Sequence, residues 1–369
     1  MIVRYEPWGA WVKLEKRAAL VALDRDGVRA LGLEGGSRWS EKDPYPSPPI
    51  EVHVAVTSRC AVGCEGCYLD ARPDGIEPPR AIIERRLDAL ARGGVFTVAF
   101  GGGEPTLRDD LGELADYARA RGLTPVVTTS GLGLGERKIT HLGRFAQVNV
   151  SYDGPGDAYA SVRGFDGAAG AESAIAKLAA AGVVVGVNVV LTRATFDVLG
   201  DTLRRAKALG ACEAQLLRYK PQGRARALDY LAKRLTQAQA CGIGPRLREL
   251  SAEHGDDLRL RIDCALVPFL SADPDLASRP DELARWGVFG CEASAALGAL
   301  RIDGRAAPCS FTEHGAHQAF RAFVAAPPEP CASCTLRAVC RGGCKVVTAF
   351  SEDRMGPDPE CPRVLASRV

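Results

Sequence analysis

The stretch IEVHVAVTSRCAVGCEGCYLDA, residues 50–71, decides how the whole chain is interpreted. Apolar side chains dominate residues 50–57, as in a buried strand, and Cys60, Cys64 and Cys67 follow with C-x3-C-x2-C spacing. Three thiolates on one short loop suit a four-iron, four-sulfur cluster, which needs four ligands, so one iron is left without a protein donor. A three-cysteine zinc site or a redox-reactive group of thiols is the alternative.

Strand and helix patterns alternate along the chain after this stretch. Strands are predicted over 50–57, 95–100, 124–129, 146–151, 183–192 and 212–219, with helices over 81–92, 110–121, 169–181 and 196–208. This order predicts an α/β fold, a partial (β/α)6 TIM-like barrel with a parallel sheet. Because active sites of such folds lie at the carboxyl ends of the strands, we expect the cysteine loop to lie at the functional end.

The second predicted strand ends in a glycine-rich loop, GGGEP, residues 101–105. Glycine lets a ligand approach the backbone, and Glu104 with exposed backbone groups could hold a cationic amine. A tight turn would explain three glycines equally well. The position of the loop, one β/α unit after the cysteine loop, favours binding.

Composition fixes the broad class of protein. Hydrophobic residues make up 46% and charged residues 25% of 369, as in an ordinary folded protein, and the net charge of +2 predicts neither a nucleic-acid nor a membrane partner. The start shows no signal-peptide pattern and no apolar run is long enough to span a bilayer, so we expect a cytoplasmic location. Thirteen cysteines in a reducing compartment are then expected to be metal ligands or redox groups.

Changes of pattern along the chain predict four regions. Residues 1–45 form an N-terminal β-hairpin appendage, 46–240 the barrel, 241–285 a bridging region and 286–369 a cysteine-rich domain. Seven cysteines fall in the last region, four of them as C-x2-C-x5-C-x3-C. Structural zinc is the alternative explanation for these seven.

The cysteine loop and the glycine-glutamate loop together resemble those of the radical S-adenosylmethionine (SAM) superfamily, over about residues 50–235. The C-terminal cysteine spacing resembles the SPASM domain of one of its subgroups, over about 286–364. CRGGC and GPDPEC are similar to the maturases of mycofactocin and pyrroloquinoline quinone precursor peptides. The resemblance implies that SAM binds the open iron and is cleaved to a 5′-deoxyadenosyl radical, which removes a substrate hydrogen atom.

The resemblance also implies which residues bind SAM and the clusters. For SAM they are Gly101, Gly102, Gly103 and Glu104 at the methionyl amine, Ser151 and Arg163 at its carboxylate, and Ser130 and Tyr68 at the nucleoside. Tyr68 enters as a substitute, because the family's usual aromatic position before the third cysteine is Gly66 here. Three iron-sulfur clusters are implied: Cys60, Cys64 and Cys67 at the SAM site; Cys291, Cys309 and Cys344, with Cys264 as fourth ligand, in an inner auxiliary cluster; and Cys331, Cys334, Cys340 and Cys361 in an outer one.

Two of these residues have alternatives. Cys264 could equally be a buried core cysteine. Asp263 could act as a catalytic base or hydrogen-bond a substrate, or be an ordinary aspartate at the end of a strand.

The resemblance predicts an oxidoreductase that modifies a ribosomally made precursor peptide, through a crosslink or another oxidation. An external one-electron reductant of the flavodoxin or ferredoxin type would supply the electron. The alternatives are a radical dehydrogenase or epimerase of a small molecule, such as a sugar or antibiotic precursor, and a non-catalytic electron-transfer or metal-binding protein.

Overall fold

The computed structural model describes residues 1–14, 19–40, 47–226, 228–312, 317–352 and 355–368. An antiparallel sheet of three strands opens the chain, β1 (Ile2–Glu6), β2 (Gly9–Leu14) and β3 (Ala19–Asp24), in that spatial order. Helix α1 (Arg25–Ala30) follows. The predicted hairpin corresponds to β2 and β3, and β1 was not predicted.

A nine-stranded sheet forms the body of the molecule, in the order β10-β9-β8-β7-β6-β5-β4-β11-β12. Its strands are β4 (Glu51–Thr57), β5 (Thr97–Gly102), β6 (Thr124–Thr129), β7 (Gln147–Ser151), β8 (Val185–Leu191), β9 (Glu213–Arg218), β10 (Arg259–Ile262), β11 (Leu297–Leu300) and β12 (Ala306–Ala307). All neighbouring pairs are parallel except β11 with β12. The six predicted strands lie side by side in chain order, which confirms the predicted α/β class.

Sixteen further helices are assigned among the described residues. They are α2 (Arg80–Arg92), α3 (Leu111–Ala120), α4 (Glu136–Leu142), α5 (Asp157–Arg163), α6 (Ala168–Ala180), α7 (Arg193–Asp197), α8 (Leu199–Ala208), α9 (Leu228–Lys233), α10 (Gln237–Cys241), α11 (Ile243–His254), α12 (Pro274–Ala277), α13 (Pro280–Arg285), α14 (His317–Ala325), α15 (Arg337–Cys340), α16 (Lys345–Glu352) and α17 (Pro362–Ala366). None of the helices in the described part of the chain combines the length and apolarity needed to cross a membrane.

Side chains alternate along the strands between a face packed in the hydrophobic core, the core face, and the opposite face, called the inner face below. In β4, Val52, Val54 and Val56 are buried in the main hydrophobic cluster, which also contains Ile83 and Leu87 of α2. The intervening residues of β4, including Glu51 and His53, are only partly buried on the opposite face. Because successive side chains of a strand point to opposite faces, β4 presents Glu51 and His53 on the inner face and valines on the core face.

Candidate active site

The cysteine loop and the glycine-glutamate loop are hydrogen-bonded to each other at the carboxyl ends of β4 and β5. The N–H of Gly103 donates to the Thr57 carbonyl at 2.7 Å, and the N–H of Glu104 donates to the Arg59 carbonyl at 2.8 Å. A Cβ atom at Gly103 would lie 2.1 Å from that Arg59 oxygen, so only glycine permits the approach. The two predicted motifs therefore form one continuous surface.

Glu104 is a buried carboxylate that fastens this surface to β6. Its Oε1 accepts hydrogen bonds from the N–H and Oγ1 of Thr106, at 3.1 and 2.8 Å, and from Thr129 Oγ1 at 2.7 Å. Its Oε2 accepts from the N–H of Ser130 at 2.8 Å. Oε2 has this single hydrogen bond among the described residues, so it keeps acceptor capacity for an amine. The predicted contact with the methionyl amine stays a prediction.

Arg163 lies beside the cysteine loop and is held there by an aspartate that the sequence analysis did not single out. Its Nε donates to Asp153 Oδ2 at 2.6 Å, and Asp153 Oδ1 accepts from the N–H of Val190 at 2.8 Å. Burial raises the pKa of the Cys64 thiol, and the charge and hydrogen bond of Arg163 oppose that rise. The predicted carboxylate-binding arginine is thus oriented next to the predicted cluster.

Asn188 is a second polar residue of the inner face that the sequence analysis did not assign to the site. It lies opposite Ser151 in the β7–β8 register, and its Nδ2 is 3.5 Å from Thr128 Oγ1. Its Oδ1 is buried without a hydrogen-bond partner among the described residues. Buried polar atoms are normally paired, so this oxygen is available to a ligand held at the inner face.

Arg224, in the turn after β9, fixes the cysteine loop from the other side. Its backbone N–H donates to the Cys67 carbonyl and its Nε to the Cys64 carbonyl, both at 2.9 Å. Its Nη1 donates to Asp70 Oδ1 at 2.7 Å and to the Ala71 carbonyl at 3.1 Å. The sequence analysis did not assign this residue to the site. Five donors in a rigid fork allow one arginine to hold several carbonyls at once.

If the cysteine loop holds an iron-sulfur cluster, an Arg224→Gln protein is expected to lose iron from that loop several-fold faster under a chelator, because the side-chain bonds to Cys64 and Ala71 are removed. The rate of iron release, followed by visible absorbance, measures this. Arg226→Gln, an exposed change in the same turn, is the matched control and should release iron at the wild-type rate. Equal rates for both variants would contradict a positioning role for Arg224.

Tyr68 packs against the C-terminal region. Its ring centroid lies 4.4 Å from that of Phe311, and burial, followed by the neighbouring Cys67 thiol, raises the pKa of Tyr68 to about 12. At Gly66, a Cβ atom would lie 3.0 Å from the Tyr219 hydroxyl, which accounts for glycine at the family's usual aromatic position. The adenine contact of Tyr68 stays a prediction.

All thirteen cysteines are free thiols, and those of the inner auxiliary set influence one another electrostatically. Burial raises the pKa of Cys264, and Cys291 and Cys344 contribute to that rise. Burial likewise raises the pKa of Cys291 to about 12, with Cys344 and Cys309 among the causes. Cys264 is therefore partly buried near Cys291 and Cys344, and its role as a fourth ligand stays a prediction.

The outer auxiliary set surrounds a cavity. Cys331, Cys334, Cys340 and Cys361 all line it, together with Asp358. Four thiols around one cavity are the donor set of an iron-sulfur cluster, so the residues present fit that group. In the described ranges, no group of three or more His, Cys, Asp or Glu side chains has the arrangement needed to hold a single metal ion.

Asp263, a candidate base or an ordinary strand-end aspartate by sequence, is paired with a lysine. Its Oδ2 forms a buried ion pair with Lys220, and its Oδ1 accepts from Cys264 Sγ at 3.3 Å. Burial would raise the pKa of Asp263, but the Lys220 ammonium and hydrogen bonds from Cys264 and Ala265 lower it below the usual value. A carboxylate held ionised in this way is a weak proton acceptor.

A hydrogen-bonded chain on the inner face presents a different acceptor. His53 Nδ1 lies 2.6 Å from Ser310 Oγ, and His53 Nε2 lies 3.0 Å from Glu51 Oε1. Ser310 directly follows Cys309 and precedes Phe311, so the chain joins β4 to the inner cysteine set. The sequence analysis did not place His53 in the site, although the alternation in EVHV puts Glu51 and His53 on one face.

Comparisons with known proteins agree with this arrangement. The Radical SAM superfamily model matches residues 54–206. The chain is 27% identical over 335 residues to the PqqA peptide cyclase of Rhodopseudomonas palustris, covering 85% of this chain and 86% of that protein. It is 32% identical over 184 residues to the mycofactocin maturase MftC of Mycobacterium tuberculosis, covering 48% and 46%.

The fold is also that of a solved structure. SuiB of Streptococcus suis, bound to precursor peptide SuiA, superposes with a TM-score of 0.75 at 16% identity and 98% coverage of both chains. The family match spans β4 to α8 and so includes both loops described above. Residues 54–206 therefore match the radical SAM superfamily model, and the fold over 98% of the chain resembles that of SuiB.

Proposed function

We propose that this enzyme reductively cleaves SAM and abstracts hydrogen from a ribosomally made precursor peptide, which becomes crosslinked or otherwise oxidised. The observation that carries the proposal is the bonding of the cysteine loop to the GGGE loop through Gly103 and Glu104. The peptide substrate is supported by the relatives, since one is named a peptide cyclase, one a mycofactocin maturase, and SuiB is solved with its precursor peptide.

The proposed ligands follow the sequence predictions. Cys60, Cys64 and Cys67 would hold the cluster that supplies the electron for SAM cleavage, while Gly101–Glu104, Ser130, Ser151 and Arg163 would orient SAM. Cys264, Cys291, Cys309 and Cys344 would hold the inner auxiliary cluster, and Cys331, Cys334, Cys340 and Cys361 the outer one. The grouping of these thiols by burial and mutual electrostatics supports the assignment.

The proposed surroundings of the enzyme follow from the same chemistry. Free thiols and iron-sulfur clusters need a reducing compartment, so we propose a cytoplasmic location. An external flavodoxin- or ferredoxin-type protein would deliver the electron. From the sequence we propose domain limits of 46–240 for the barrel and 286–369 for the SPASM domain. With these limits, β11 belongs to the SPASM domain.

Oxidation of a peptide C–H bond requires acceptors for a hydrogen atom, an electron and a proton. Bound SAM would supply the acceptor for the hydrogen atom, and a cluster held by Cys264, Cys291, Cys309 and Cys344 would supply the acceptor for the electron. For the proton we propose His53, because imidazole ordinarily exchanges protons near neutral pH and Glu51 orients the ring. Ser310 would pass the proton from the peptide to His53 Nδ1.

A His53→Gln enzyme is expected to form 5′-deoxyadenosine at close to the wild-type rate but oxidised peptide about 100-fold more slowly, because only the proton acceptor is removed. Quantifying both products by mass spectrometry gives this ratio. His141→Gln, on outer helix α4, is the control and should leave the ratio unchanged. A parallel fall in both products would contradict the relay.

The proposed function is tested by anaerobic reconstitution with iron and sulfide, followed by incubation with SAM, a reductant and the peptide encoded by a short reading frame beside the gene. Formation of 5′-deoxyadenosine and a loss of about 2 Da from the peptide are expected. Unchanged peptide mass with deuterium gained from heavy water would indicate epimerisation instead. Absence of 5′-deoxyadenosine would overturn the proposal.

A further inference from the structure

Lys345 is a deeply buried cation with neutral hydrogen-bond partners. It follows Cys344 at the start of α16 and is 2% exposed. Its Nζ donates to the carbonyls of Gly342 and Gly356, at 3.0 and 2.8 Å, and lies 3.3 Å from the centroid of the Phe323 ring. These contacts satisfy the donors of the ammonium but do not neutralise its charge.

The other deeply buried cations of this region are paired with carboxylates. Arg218 binds Asp358 at 2.6 Å, and Lys220 forms its ion pair with Asp263. Lys345 forms no ion pair with a carboxylate in the part of the chain that the structure describes. Since burying an unpaired charge costs several kcal/mol, an anion is expected near Lys345.

The ammonium lies beside the cavity of the outer set, because Gly342 and Phe323, which contact its Nζ, also line that cavity. Lys345 interacts electrostatically with Cys291 of the inner set, with Cys331 and Cys340 of the outer set, and with Asp358. Thiolate-ligated iron-sulfur clusters are anionic, and their net charge and surroundings set their reduction potentials. Lys345 therefore lies close to the proposed outer cluster and directly follows Cys344, a proposed ligand of the inner one.

We propose that Lys345 is the shared counter-ion of the two auxiliary clusters and raises their reduction potentials, which favours their acceptance of an electron. The inference rests on the proposed assignment of the C-terminal cysteines to clusters. A positive charge stabilises the more negative, reduced state of each cluster, so its removal lowers the midpoint potential. Lys220 also lies near the inner cysteines, but its charge is offset by Asp263.

The test uses the full-length, reconstituted protein carrying Cys64→Ala, so that the auxiliary clusters alone give the signal. Lys345→Gln keeps an N–H donor for the glycine carbonyls without the charge, Lys345→Arg keeps the charge, and Lys177→Gln, an exposed residue of α6, is the control. Iron content and midpoint potentials are measured by redox titration followed by electron paramagnetic resonance.

Lys345→Gln is expected to shift the reduction equilibrium of at least one auxiliary cluster tenfold toward the oxidised form, which is about 59 mV for one electron, with Lys345→Arg and the control near the parent value. Retained iron with unchanged potentials in Lys345→Gln would overturn the proposal. If Lys345→Gln loses iron, restoration by arginine supports it, whereas failure of arginine to restore iron overturns it. A parent protein without iron at the C-terminal cysteines would overturn the cluster assignment itself.

Discussion

Replacing Cys64 by alanine is expected to reduce 5′-deoxyadenosine formation to the level of a protein-free reaction. Cys64 is the thiol that Arg163 contacts, and its loss removes one of three ligands from a cluster that already has one open iron. The auxiliary cysteines lie in separate sets, so their clusters should remain. Anaerobic assay of 5′-deoxyadenosine, together with iron content, measures both effects.

Cys212→Ala provides the matched control for this loss. Cys212 is an exposed thiol outside the three cysteine sets, and its Sγ contacts only the Val185 carbonyl, at 3.4 Å, among its described partners. Its replacement should leave SAM cleavage and iron content unchanged. Sustained SAM cleavage by Cys64→Ala, or an equal loss in both variants, would refute the assignment of the cysteine loop.

Replacing Arg218 by methionine is expected to destabilise the protein by about 3–5 kcal/mol. Arg218, 4% exposed at the end of β9, binds Asp358 at 2.6 and 3.1 Å and Glu360 at 2.8 Å. Asp358 also accepts the N–H of Cys344 at 2.9 Å. Removal of the guanidinium leaves the buried Asp358 carboxylate without its ion-pair partner, whereas Glu360 keeps its pair with Arg234 at 2.7 Å. The midpoint of urea denaturation should fall accordingly.

Arg279→Met is the matched control, because it removes ion pairs at the surface and not in the core. Arg279 is paired with Asp275 and Glu282 at the surface, so its loss should cost at most about 1 kcal/mol. The double variant Arg218→Met with Asp358→Leu should recover part of the stability, because it removes one uncompensated charge. Similar midpoints for Arg218→Met and Arg279→Met would show that the buried network does not stabilise the fold.

Local patterns were sufficient to predict most of the barrel. The apolar alternation that places Val52, Val54 and Val56 in the core identified β4, and the same signal identified the next five strands to within about two residues. β11 was not predicted, because LGAL consists of small or apolar residues without alternation. Its partner β4 lies far away in the chain, and such parallel pairing has no local signal.

In the candidate site, too, local features could be predicted from the sequence and long-range contacts could not. Spacing within short segments predicted the cysteine sets and the GGGE loop. The contact between His53 and Ser310 joins positions 257 residues apart, and that between Arg224 and Cys64 joins positions 160 residues apart. Such contacts depend on how strands and loops meet after folding, so the sequence could not reveal them. The alternation of Glu51 and His53 was a usable signal that was not applied.

The pairing of β11 with β4 affects how this enzyme can be divided or recombined. β11 belongs to the cysteine-rich region in sequence, yet it hydrogen-bonds to the strand that leads into Cys60. A truncation after the barrel would therefore bare the edge of β4 and remove Ser310 from His53. Chimaeras that exchange the C-terminal module between relatives would also replace Ser310 and Phe311, which contact His53 and Tyr68 of the barrel. The hydrogen-bond partner of His53 and the auxiliary cysteines should therefore be inherited together.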